Sequence, residues 1–178
     1  METRTKNEIV SWIKSLALAF ILALICRHFI FEPVTVRGES MVPTFSNEQK
    51  LIVSKTSEIE RFDMIVFHSP VEDQDYVKRI IGMPGDTVEM KDDVLYVNGK
   101  AYKEPYVNRD LVMEKVTADF TLQELLGQNI VPENSYFVMG DNRLRSYDSR
   151  EFGFISEEAV VGEVKFRFYP FDESGFTK

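Results

Sequence analysis

Three groups of residues have types and spacings suited to acyl-transfer chemistry. The first is Gly38-Glu39-Ser40-Met41-Val42-Pro43, where a serine stands in a short stretch bounded by glycine and proline. A serine hydroxyl becomes a useful nucleophile only when a base takes its proton. Alone, Ser40 reads more simply as a turn residue, because Ser, Gly and Pro are the usual turn formers. The second group is Asp75-Tyr76-Val77-Lys78-Arg79-Ile80-Ile81. Strand alternation puts Tyr76, Lys78 and Ile80 on one face and Val77, Arg79 and Ile81 on the other. Lys78 then stands among apolar neighbours, where desolvation favours the neutral amine that a lysine base requires. An exposed or snorkelling lysine is the plainer alternative. The third group is Gly140-Asp141-Asn142-Arg143, followed by Ser146, Asp148, Ser149, Arg150 and Gly153. Its hydroxyls suit the orientation of a neutral amine, and its Asp/Arg pairs suit a rigid loop. By itself it is a polar turn with charge pairs.

Histidine is the usual partner of a nucleophilic serine, but His68 precedes Ser69-Pro70 in what reads as a surface turn. The other histidine, His28, lies at the end of the apolar N-terminal stretch. With one cysteine, Cys26, in that stretch, no intrachain disulfide and no soluble cysteine nucleophile are available. No Cys/His cluster is present, so neither a metal nor a cofactor is expected.

The elements that must position these groups differ along the chain. Residues 12–31 are expected to form a transmembrane anchor helix. Its core, Leu16 to Cys26, carries no charge, and Trp12, Ile13 and Phe29-Ile30-Phe31 extend it to about the length of a span. Lys14 and Arg27 would snorkel towards opposite headgroup layers. A cleaved secretory signal is disfavoured because the small-x-small triplet Ala17-Leu18-Ala19 falls in the middle of the apolar run. A lipid-modified Cys26 is disfavoured by bulky Ile25 before it, and a buried core helix is the remaining alternative. Arg4, Lys6 and Lys14 precede the core while Arg27 and Arg37 follow it closely, so the positive-inside rule points weakly to a cytoplasmic N-terminus over residues 1–11. Residues 32–178 would then lie on the extracytoplasmic side, with Ser40 nine residues beyond Phe31 and close to the lipid surface.

The net charge is −8. Residues 1–31 carry four basic and two acidic side chains, which leaves −10 on the remainder. An acidic globular part has no footprint for nucleic acid. That part reads as mostly β, an antiparallel barrel-like or sandwich-like domain. Val34, Val36, Gly38 and Ser40 share one side of an extended segment. Leu51 to Val53, Met64 to Phe67, Tyr76 to Ile81, Tyr136 to Met139 and Val164 to Phe168 are strand-like. Met83-Pro84-Gly85-Asp86 suits a type II turn, and Asn98-Gly99 suits a hairpin turn between Val94–Val97 and Lys100–Tyr102. Thr121 with Glu124 forms a capping box for a short helix over Leu122 to Leu126. Residues 87–134, more polar and hairpin-rich, read as a small inserted subdomain.

Together the three groups resemble a type I signal peptidase (leader peptidase), in the compact single-anchor form of Gram-positive bacteria. The matching stretches are Gly38 to Thr44, Tyr76 to Asp86 and Gly140 to Arg150. The resemblance implies a membrane-anchored serine endopeptidase that removes signal peptides from secreted preproteins. It implies cleavage after small residues at the first and third positions before the bond. Ser40 would be the nucleophile and Lys78 the general base. Ser146 would orient the lysine, Asp148 and Arg150 would hold the loop, and Asp141 would support it through Arg79. The Ser40 N–H would stabilise the oxyanion. In one branch of the family a serine two residues before the nucleophile adds a hydroxyl there; here that position is Gly38. Val34, Val36, Gly38, Met41, Tyr76 and Val77 are the substrate-binding candidates, with plain β-core as the alternative for the apolar ones. Met41, Val42, Phe45 and the aromatics of Phe166–Phe171 are candidates for dipping into the membrane interface. Signal-peptide-bearing preproteins and the lipid bilayer are the expected partners. A self-cleaving Ser/Lys regulator shares this kind of dyad but would need a scissile bond in its own chain. A tethered non-enzymatic β-domain would leave all three groups unexplained.

Overall fold

Period-two alternation after residue 30 produces short strands, and their two faces decide how they stack. The computed structural model describes residues 2–109 and 115–177. A helix, α1 (Glu2–Phe29), leads into β1 (Phe31–Thr35). Then come β2 (Lys50–Ser54), β3 (Met64–His68), β4 (Asp75–Gly82), β5 (Val88–Lys91), β6 (Val94–Val97), β7 (Lys100–Tyr102) and β8 (Phe120–Thr121). The rest is α2 (Leu122–Leu126), β9 (Ser135–Met139), α3 (Ser149–Phe152), β10 (Ile155–Ser156), β11 (Val160–Tyr169) and β12 (Gly175–Phe176).

The larger sheet runs β1-β2-β11-β3-β4-β9-β10, with β12 also paired to β11. All its described pairings are antiparallel. It is an open sheet, so the expected barrel-like domain does not close: β1 and β10 are its ends. The smaller sheet, β7-β6-β5-β8, comes from residues 88–121. It lies within the segment expected to be inserted, but it is not a loose appendage. Phe137 and Met139 of β9 and Ile81 of β4 share a core with Val88, Met90, Leu95, Val97, Phe120 and Leu122. On alternate positions, Tyr136, Val138 and Ile80 join Ile65 and Phe67 in a second core. A third gathers Val36, Met41, Phe45, Leu51, Val53, Met64, Val66 and Val164. Central strands β3, β4 and β9 are thus apolar on both faces.

Local signals landed where the chemistry is strong. Asn98 and Gly99 both adopt positive φ between β6 and β7, as a tight hairpin turn demands. Thr121 caps α2 and Glu124 reaches back to the Thr121 N–H, completing the box. Gly85 takes φ +83 in the turn after β4, and the Asp86 N–H donates to the Met83 carbonyl.

Two expectations change. The extended segment does not run to Ser40. It stops at Thr35, and Gly38 turns the chain at φ +82. Met41 and Phe45 do not face outward; each is 1% exposed and sits in core. Of the other candidates, Phe171 is outward, 79% exposed, and Phe176, which the sequence did not single out, is 84% exposed.

Helix α1 touches the remainder mainly at β1. Trp12, Leu16, Phe20, Leu22 and Leu24 are exposed along it. Among the described residues no helix is long and apolar enough to cross a membrane. The transmembrane span expected over residues 12–31 is therefore not confirmed.

Candidate active site

Strand β4 is the positioning element. It pairs with β3 along Asp75 to Arg79, but with β9 only from Arg79 onward. Residues 75–78 therefore keep one edge without a strand partner. That edge forms one wall of a cleft of ≈ 220 Å³, and residues 35–41 form the opposite wall. Lys78 and Ser40 meet inside it, with Nζ and Oγ 2.6 Å apart.

Lys78 is 4% exposed. Burial drives its pKa from 10.5 down to about 8, Asp148 pulls it partly back up, and Arg150 pushes it down. The Tyr76 ring lies 5.2 Å from Nζ on the same face of the strand. At neutral pH a measurable fraction of this amine is uncharged and in contact with a serine hydroxyl. Such a pair can pass a proton from oxygen to nitrogen.

The neighbouring residue, Arg79, points to the other side of β4. Its Nε and Nη2 donate to the two oxygens of Asp141 at 2.9 and 2.7 Å, with both side chains buried. Thr44 also donates to Asp141. Two more bonds tie the loop after β9 to the serine loop. The Asn142 N–H donates to the Ser40 carbonyl at 3.0 Å, and Asn142 Nδ2 to the Glu39 carbonyl at 3.0 Å. Arg145 pairs with Glu39 at the cleft mouth.

Asp148 is fully buried and acts in three ways. It N-caps α3, accepting from the Arg150 N–H, and Glu151 closes a second capping box. It pairs with the Arg150 guanidinium at 2.8 Å. It also accepts from the Gly140 N–H at 2.9 Å. Arg150 then donates to the Arg143 and Ser146 carbonyls, closing the loop on itself.

The structure brings Ser40, Lys78, Arg79, Asp141, Asp148 and Arg150 together, but Ser146 does not bond to Lys78. Its hydroxyl is buried without a hydrogen-bond partner among the described residues. It is packed against Gly140, where an added Cβ would stand 2.2 Å from Ser146 Oγ and 2.4 Å from the Ser40 carbonyl. Val36, Gly38, Met41, Tyr76 and Val77 line the cleft. Val34 does not; it packs against the core beneath. His68 bonds to Asp75 at 2.6 Å on the surface and is not a cleft residue. No group of residues suited to a metal ion occurs among the described residues.

A second buried network escaped sequence reasoning. Glu104 and Arg143 form an ion pair with no exposure on either side chain. The Arg79 guanidinium lies 4.0 Å from the Tyr106 ring centre. Burial raises the Tyr106 phenol and Glu104 raises it further. In sequence, Glu104-Pro105-Tyr106 carries no spacing that links it to residue 143.

The family model for signal peptidase, peptidase S26, matches residues 9–169. The chain belongs to the signal peptidase family. It is an enzyme of the signal peptidase I type, a peptidase that removes signal peptides. A signal peptidase IB from Staphylococcus aureus is 45% identical, over 94% of this chain and 93% of its own length. A signal peptidase I from Bacillus licheniformis is also 45% identical, over 96% and 94%. A signal peptidase I crystal structure from Enterococcus faecalis matches with TM-score 0.59 and 47% identity, covering 60% of this chain and 97% of the other. That family membership agrees with the mostly antiparallel β-fold.

Proposed function

We propose that this signal peptidase works through a Ser40/Lys78 dyad and cuts after small residues at the first and third positions before the bond. The observation that carries the reading is the 2.6 Å contact between Ser40 Oγ and a buried lysine with a pKa of about 8. Neutral Lys78 takes the Ser40 proton while Oγ attacks the peptide carbonyl. The oxyanion develops beside the Ser40 N–H, which has no acceptor among the described residues. Lys78 then gives its proton to the departing amine and next takes one from a water that hydrolyses the ester. Gly38 brings no hydroxyl to the oxyanion. Asp141, Asp148, Arg150 and Arg79 hold the loop, and the free Ser146 hydroxyl is available to orient the amine.

The substrate lies extended along the open 75–78 edge of β4, adding a strand to it. A small cleft backed by nearly closed Val36 and Met41 favours small side chains there. Ser40→Ala and Lys78→Ala should each abolish cleavage of a presecretory substrate while the protein stays folded. Full activity in either variant would sink the dyad.

The exposed apolar surface of α1 supports a membrane location, with residues 1–11 cytoplasmic and 32–178, including a subdomain over about 87–134, on the extracytoplasmic side. The uncharged core Leu16–Cys26 covers only about 16 Å at 1.5 Å per residue. Crossing a hydrocarbon layer of about 30 Å therefore enlists the helix from Trp12 to its end at Phe29, about 27 Å, with Lys14 and Arg27 snorkelling. Recovery of the full chain from cells without detergent, with no affinity for liposomes, would refute this location.

A further inference from the structure

The second buried network reaches the dyad through one glycine. Glu104 uses both carboxylate oxygens: Oε1 accepts from Arg143 Nη2 and from the Tyr106 hydroxyl at 3.2 Å. Oε2 accepts from Arg143 Nη1 at 3.3 Å and from Arg109 Nη2 at 3.0 Å. Arg143 Nε donates to the Gly140 carbonyl at 3.1 Å. The Gly140 N–H is already held by Asp148. Both polar ends of Gly140 are thus clamped, and the place a Cβ would take on it is filled by Ser146 Oγ and the Ser40 carbonyl. A shift of Gly140 moves the nucleophile loop. Tyr106 adds a second lock, with its ring centre 4.0 Å from the Arg79 guanidinium and 6.0 Å from that of Arg143. Arg79 is next to Lys78 in β4.

Apolar side chains of similar volume often replace a buried ion pair at no loss of stability, since desolvation offsets much of the attraction. What a forked arginine–carboxylate pair adds is fixed geometry. We infer that Glu104 and Tyr106, between the two sheets, are positioning residues for the Ser40–Lys78 pair, acting through Arg143 and Gly140. The inference rests on the Ser/Lys reading above.

The test compares the full-length enzyme with Glu104→Gln, Arg143→Met and the double variant, measuring kcat and KM on one precursor. Glu104→Gln should lower kcat by on the order of 100-fold, the scale of an ångström-sized misplacement, and leave KM unchanged. Its rate–pH midpoint should stay near 8, because the charges acting on Lys78 are Asp148, Arg150, Asp141 and Glu151. If Glu104 acts through Arg143, the double variant loses no more kcat than Arg143→Met alone. A folded Glu104→Gln enzyme within twofold of wild-type kcat overturns the inference. Losses that multiply in the double variant, or a change confined to KM, overturn it too. Should Glu104→Gln not fold, Tyr106→Leu decides: a tenfold or larger kcat loss at unchanged KM supports the inference, and a smaller one overturns it. Ser40→Ala is the control that separates the two readings. If it leaves cleavage intact, the dyad itself fails. If it abolishes cleavage while Glu104→Gln is harmless, only the positioning role falls.

Discussion

Replacing Lys78 with methionine should make the protein more stable at neutral pH while destroying its activity. The folded-state pKa of about 8 lies 2.5 units below the reference value of 10.5. At 1.36 kcal/mol per unit, burying this amine in protonated form costs about 3 kcal/mol. The sign follows from proton counts. Between pH 8 and 10.5 the unfolded lysine is protonated and the native one is not, so wild-type stability rises with pH. Below pH 8 both states hold the proton and the full penalty persists. Methionine keeps the unbranched apolar stem and removes the charge. It also removes the contact with Ser40, a loss of about 1 kcal/mol. The expected net gain is about 2 kcal/mol at pH 7, with the two proteins converging and crossing as pH approaches 10.5. Urea denaturation in detergent, run from pH 6 to 10.5, measures it, and titrating groups not coupled to Lys78 cancel in the difference. A gap independent of pH, or a less stable variant at pH 7, would refute the buried-amine reasoning. The wild-type kcat/KM should in parallel rise tenfold per pH unit below about 8 and level off above it; a flat profile from pH 6 to 9 contradicts a lysine base.

Other substitutions separate packing from charge. Gly140→Ala places a methyl against Ser146 Oγ and the Ser40 carbonyl; it should cost about 1–3 kcal/mol and abolish cleavage, and an active, equally stable variant would show that the contact is soft. Asp141→Leu leaves the Arg79 charge buried without its partner and should destabilise by about 3–5 kcal/mol, read as a lower denaturation midpoint; a loss under 1 kcal/mol would mean that water reaches the pair. Ser146→Ala removes a buried hydroxyl that bonds to nothing described, so stability should hold or rise by about 1 kcal/mol while kcat falls; a clear loss of stability would reveal a partner for that oxygen. Gly38→Ser has room for its side chain, but at φ +82 it should cost about 1 kcal/mol, seen as a lower melting temperature.

What was legible in the sequence was local or short-period. Alternation in Tyr76–Ile81 placed Lys78 and Arg79 on opposite faces, and Asn98-Gly99 and Thr121/Glu124 marked a turn and a cap. The serine loop was read too straight. One glycine at positive φ ended the strand, and glycine's freedom leaves no trace in an alternation pattern. Met41 and Phe45 suit a membrane interface or a core equally well in sequence, because hydrophobicity does not tell lipid from core. The Glu104–Arg143 pair was invisible for a different reason. Its partners are 39 residues apart in sequence, and only the packing of one sheet on β9 brings them together. Val34 shows the same limit: its face was right, but a cleft wall and the core beneath it look alike in sequence.

The bonds that complete the cleft are among the longest-range in the chain. Thr44 reaches Asp141 across 97 residues, Asn142 reaches Glu39 across 103, and Arg145 reaches Glu39 across 106. Closing such loops carries an entropic penalty that local hairpins escape, so contacts of this span form late in folding. A chain that ends before residue 140 holds Ser40 and Lys78 but none of the bonds from Asp141, Asn142 and Arg145 that tie the serine loop in place.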